Sequence, residues 1–85
     1  MTPSTESIPE PLILYTRAGC HLCDQAITML DRAGIHWRPV DIEGQPGLAA
    51  RYGLSVPVLR QPDSGRELNY PFDETALRRF MISEM

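Results

Sequence analysis

The first concentrated apolar run is Leu12-Ile13-Leu14-Tyr15-Thr16, which carries no charge and is rich in strand-forming residues. It predicts a short β-strand buried on both faces. After Cys23 the period changes: Ala26, Ile27, Leu30 and Ala33 follow at offsets of 3, 4, 7 and 10, on one helical face. Gly34 is placed to end that helix in a left-handed conformation. Ile35 to Ile42 returns to strand chemistry with Trp37, Val40 and Ile42. Pro39 confines part of it to a sheet edge, because proline cannot donate to a ladder. One helix between two strands predicts a parallel, right-handed βαβ unit.

Gly44 to Gly53 carries Leu48, Ala49 and Tyr52, with Pro46 near its start and Gly53 at its end, and predicts a short helix. Pro57 to Arg60 reads as a strand, Pro62-Asp63-Ser64-Gly65 as a turn, and Glu67 to Tyr70 as the returning strand of an antiparallel hairpin. Asp73 suits the cap of a last helix, with Phe72 and Leu77 at the staple positions around it. Leu77, Phe80 and Met81 supply its buried face, and Arg78-Arg79 its solvated one. Trp37, Tyr15 and Tyr52 read as core or rim packing, while Tyr70 either lines a cleft or ends its strand. The fold class is α/β, in the order β-α-β-α-β-β-α on one four-stranded mixed sheet. Residues 1–10, polar and rich in proline, read as a flexible tail, and residues 11–85 as one domain.

Composition narrows the function classes. With 85 residues there is room for one modest core, and 42% hydrophobic with 22% charged residues is an ordinary globular mixture. Net charge is −3, and the eight cations, all arginine, are scattered apart from Arg78-Arg79. A nucleic-acid partner would need a clustered basic face, so none is expected. No apolar run approaches the roughly 20 residues of a membrane span, so no membrane association is expected either. The start of the chain lacks a charged segment followed by an apolar one, and the expected location is the cytoplasm.

The chemistry is concentrated in Cys20-His21-Leu22-Cys23, which holds both of the chain's cysteines. They lie where the first strand gives way to the first helix. Backbone N–H groups are unpaired there and the macrodipole is positive, so a thiol loses its proton more readily. Residues three apart on a helix are close enough to close a disulfide with little backbone movement. The pattern suits a reversible dithiol/disulfide couple. The competing readings are half a zinc site or two inert core thiols. Zinc needs about four ligands, and only His21 and His36 remain, the latter in another element. No metal site is therefore expected.

This element order, with Tyr15-Thr16-Arg17-Ala18-Gly19-Cys20-His21-Leu22-Cys23 after the first strand and Ser55-Val56-Pro57 before the third, resembles the glutaredoxin branch of the thioredoxin fold. It is most similar to the small bacterial glutaredoxin-like proteins, over residues 11 to 85. The resemblance implies a three-layer fold and a cis Pro57 that faces the cysteines and offers the Val56 backbone to an extended substrate. Read from the residues alone, Pro57 is an ordinary proline opening a strand. The pattern departs from the family in two places. His21-Leu22 replaces the frequent Pro-Tyr between the cysteines, and Tyr70-Pro71 replaces a glycine pair that allows glutathione to approach the backbone. The acidic pair before the last helix, Asp73-Glu74, is in place, which makes Asp73 a candidate substrate contact.

The expected activity is thiol–disulfide oxidoreduction. Cys20, at the exposed side of the loop, attacks a substrate disulfide, and Cys23, one turn deeper, resolves the mixed disulfide. Arg17 adds positive charge near the sulfur. His21, if charged, favours the thiolate; the plainer reading is an exposed histidine at a helix start. The expected partners are a disulfide-containing protein or a low-molecular-weight thiol, acting on a monomer. No tightly bound cofactor is expected, and glutathione is a candidate reductant despite Tyr70 and Pro71. Two other functions fit the same motif. One is an iron–sulfur or metal carrier, and the other a redox-inactive binding module that keeps the fold.

Overall fold

A computed structural model describes residues 11–82. The tail expected over residues 1–10, and residues 83–85 of the expected domain, lie outside the described residues. The elements are β1 (Leu12–Thr16), α1 (His21–Arg32), β2 (Trp37–Asp41), α2 (Pro46–Tyr52), β3 (Val58–Arg60), β4 (Glu67–Asn69) and α3 (Glu74–Ile82). The order β-α-β-α-β-β-α is the expected one, and the strands form a single sheet in the order β2-β1-β3-β4. β1 pairs parallel with β2, antiparallel with β3, and β3 pairs antiparallel with β4. β2 is an edge strand, as Pro39 requires.

The period-2 alternation of the strands sorts the core into two clusters. Leu12, Leu14 and Leu59 pack with Ala26 and Leu30 of α1 and with Phe72, Leu77 and Phe80 at α3. Tyr15 and Val58 turn the other way and pack with Ile42 and with Tyr52 of α2. The result is three layers, with α1 and α3 on one face of the sheet and α2 on the other. Tyr15 and Tyr52 stack with ring centroids 4.4 Å apart. The Tyr52 hydroxyl donates to the Glu67 carboxylate on β4. Burial first, and that bond second, push the Tyr52 phenol above its ordinary pKa.

Helix ends follow local chemistry. α1 closes with the Ile35 N–H donating to the Leu30 carbonyl and the Gly34 N–H to that of Asp31, with Gly34 at φ 70°. This is the double-bonded left-handed stop that glycine permits. Ala33, expected on the buried face, is instead the exposed C-cap, because the helix ends at Arg32 before that turn completes. Met81 is only half-buried, beside the fully enclosed Leu77 and Phe80. Among the described residues no helix is long and apolar enough to cross a membrane.

At α3 the Asp73 carboxylate accepts the Ala76 N–H at 2.7 Å, and Phe72 and Leu77 share the core cluster on either side of that cap. Asp73→Ala is therefore expected to destabilise the protein by about 1 kcal/mol and lower its melting temperature by about 4–8 °C. A melting temperature within about 1 °C of the parent would show that the cap contributes nothing.

Candidate active site

The sheet topology assembles the site at one end of the molecule. β1 and β2 are parallel, so the segments that follow them emerge together. β3 is antiparallel to β1, so the segment that precedes it arrives at the same end. These three segments supply Arg17 to Cys20, Glu43, and Gly53, Leu54 and Val56. Together they line an open groove of about 540 Å³.

Arg17-Ala18-Gly19 carries the chain out of β1, and Gly19 takes a φ of 74° that a side chain would strain. Cys20 follows in extended conformation as the N-cap of α1, and its Sγ accepts the Cys23 N–H at 3.1 Å. Cys20 and Cys23 form a disulfide with their Cα atoms 5.2 Å apart. The two sulfurs differ in access: Cys20 is half-exposed in the groove wall, whereas Cys23 is 3% exposed. The arrangement can open and close one bond while presenting one sulfur to a partner.

Val56 lies in the groove with Cys20, although 36 positions separate them in sequence. The Val56–Pro57 peptide is cis, as the resemblance implies, and Pro57 is buried beneath. Arg17 also lines the groove, but its guanidinium is engaged. Nη1 donates to the Gly53 carbonyl at 2.8 Å, and Nε lies 3.7 Å from the Glu43 carboxylate. The carboxylate offsets the charge expected near the sulfur, and the guanidinium ties together the loops after β1 and after α2. His21 opens α1 and is exposed. Asp73 is brought to the N-terminus of α3 and does not line the groove.

Sequence reasoning missed four contributors. Leu54 stands in the groove wall at 102% relative exposure, and Leu22, between the cysteines, is 47% exposed. Glu43 lines the groove and pairs with Arg17. Gln25 lies between His21 and Tyr70: the Tyr70 hydroxyl donates to Gln25 Oε1 at 2.7 Å, and Gln25 Nε2 is 3.3 Å from His21 Nε2. Of these, only the His21–Gln25 spacing of four was visible along the chain. A second cleft, of about 490 Å³, lies between the end of α1 and α3, with Ile35, Leu77 and Met81 in its walls. It contains neither thiol, so the groove at Cys20 is the candidate site. Among the described residues no group of three or more His, Cys, Asp and Glu side chains could hold a metal ion.

Comparison with known proteins agrees with this geometry. Residues 11–81 match the family described as Glutaredoxin-like domain (DUF836). The X-ray structure of target protein XcR50 from X. campestris is similar at 46% identity and a TM-score of 0.79, covering 85% of this chain and 96% of that one. The solution structure of protein Ne2328 from Nitrosomonas europaea is similar at 29% identity and a TM-score of 0.74, covering 86% of this chain and 92% of that one. Thioredoxin 1 from Thermosipho africanus, at 16% identity and a TM-score of 0.53 over 89% of this chain and all of that one, shares the fold. No curated protein matches.

Proposed function

Because the chain belongs to the Glutaredoxin-like domain (DUF836) family, we propose that it is a thiol–disulfide oxidoreductase working through Cys20 and Cys23. The observation that carries this reading is the asymmetry of the pair, a half-exposed Cys20 at the helix N-cap bonded to a buried Cys23 one turn inside. The first-turn N–H groups and the dipole favour a thiolate at Cys20. That thiolate attacks one sulfur of a substrate disulfide. A protein–substrate S–S bond forms, the substrate bond breaks, and one substrate thiolate leaves. Cys23, deprotonated, then attacks Cys20 Sγ, closes the intramolecular disulfide and releases the second substrate thiolate. Two electrons pass to the substrate, and the released thiolates take up protons from water. Two molecules of glutathione or one dithiol protein return the pair to its reduced form.

The partner we favour is a disulfide-containing protein. Leu54 puts exposed apolar surface in the groove with Cys20, and Leu22, between the cysteines, adds more, which suits an apolar polypeptide better than a charged tripeptide. Tyr70 and Pro71 stand where paired glycines would let glutathione approach, so we assign glutathione the part of reductant rather than of tightly bound cofactor. Val56 offers its backbone to an extended substrate at the groove, and Arg17 holds the groove's loops together. We assign the protein to the cytoplasm as a monomer, where a reducing pool can recycle it.

Titration in a glutathione redox buffer tests the reading. A single two-electron transition is expected within the roughly −120 to −270 mV spanned by thioredoxin-fold redox proteins. In the reduced protein, Cys20 is expected to react with an alkylating probe about tenfold or more faster than Cys23, because thiolate character and access both favour it. Two thiols that stay free throughout the titration would refute the function, and equal or reversed alkylation rates would refute the roles.

A further inference from the structure

His21 is the residue between the cysteines nearest to Cys20 in sequence, and its ring is not loose. It occupies the first position of α1, with Gln25 one turn on. Tyr70 reaches the same side chain from the end of β4, across 45 positions of sequence. Tyr70 is itself braced. Its ring meets the buried Phe72 edge-on at 5.3 Å, its N–H donates to the Pro57 carbonyl at 3.3 Å, and it packs against the main core cluster. A chain of hydrogen bonds therefore runs from the core to the residue beside the nucleophile.

The direction of that chain follows from the orientation of the Gln25 amide. The Tyr70 hydroxyl donates to Gln25 Oε1, which turns the Gln25 amide nitrogen toward the imidazole. In that orientation the amide nitrogen donates and His21 Nε2 accepts, which leaves the ring proton on Nδ1. This is the reverse of the tautomer that free imidazole side chains favour. We propose that Gln25 and Tyr70 are positioning residues for His21, the residue that follows Cys20, holding its ring toward Gln25 as the Nδ1–H tautomer. Nδ1 is the ring nitrogen on the backbone side, one residue from Cys20. Its proton is the donor that the link to Gln25 leaves over, on the residue next to a Cys20 thiolate. The effect on the thiol couple rests on the oxidoreductase reading; the tautomer does not.

The experiment has two readouts. The first is ¹⁵N NMR of the His21 ring in the oxidised protein at about pH 9, above the ordinary histidine range. Protonated Nδ1 and bare Nε2 are expected, with a return to the Nε2–H form in Tyr70→Phe and in Gln25→Leu. An Nε2–H ring in the parent protein, or one unaltered by both substitutions, overturns the proposal. The second is the equilibrium constant with glutathione. Each substitution is expected to shift it toward the protein disulfide by about threefold, the value of one modest hydrogen bond, and to have no effect in a His21→Asn background. Unchanged constants, or shifts that persist in that background, overturn the functional half. If the parent protein shows no redox transition at all, the oxidoreductase reading fails, and the ring tautomer alone decides this proposal.

Discussion

Cys20→Ser is expected to abolish disulfide reductase turnover, leaving no rate above that of uncatalysed exchange. A serine hydroxyl is not ionised at neutral pH and cannot form a disulfide, so no mixed intermediate exists. Cys23→Ser is expected to behave differently. Attack by Cys20 proceeds, but the resolving thiol is missing, and a covalent protein–substrate disulfide accumulates. Mass spectrometry of the non-reduced reaction mixture identifies that adduct, and a coupled assay measures turnover. The contrast follows from the geometry, since only Cys20 lines the groove while Cys23 is sealed behind it. Retained turnover in Cys20→Ser would refute Cys20 as the nucleophile, whereas no turnover in the parent protein would leave the metal-carrier and binding-module readings. An adduct on Cys23 in the Cys20→Ser protein would reverse the assignment of roles.

Leu14→Ala is expected to have the largest effect on stability. Leu14 is wholly buried in the central strand β1, opposite Leu59 of β3, and lies in the cluster that joins α1 and α3 to the sheet. Truncation removes buried methyl groups and leaves a cavity that a central strand cannot collapse around, at a cost of about 3 kcal/mol. A domain of this size holds only about 4–13 kcal/mol in total. The melting temperature should fall by about 12–24 °C, measured by thermal unfolding followed by circular dichroism. Leu54→Ala is the control: its side chain is fully exposed, and its stability should stay within about 0.5 kcal/mol of the parent. A Leu14→Ala protein as stable as that control would mean that the cluster around β1 is not the core.

Much of this was legible along the chain because the signals were local. The change of period after Cys23, the glycine at position 34 and the capping aspartate at 73 each act within one or two turns, and each appears in the structure in its expected role. The Pro39 edge strand was legible for the same reason, since a missing N–H excludes it from any central position. The local signals failed at element ends. Ala33 continued the apolar stripe numerically, but the left-handed Gly34 had already stopped the helix and left Ala33 in water. Along the chain Arg17 shows only as a positive charge three residues before Cys20. Its real partners, Gly53 and Glu43, come from loops far along the sequence.

The sequence by itself determined the element order, the position of the cysteine pair at a strand-to-helix junction and the spacing that lets the two sulfurs bond. These depend on backbone propensity, periodicity and covalent spacing, which act over a few residues and survive in a bare string of letters. Only the tertiary structure decided what surrounds that pair. The groove formed by Arg17, Glu43, Leu54 and Val56, and the link from Tyr70 through Gln25 to His21, exist because a parallel and an antiparallel strand pairing bring distant loops to one end of a sheet. Residues that meet in this way carry no shared spacing, and only the packing of the core fixes the distances between them.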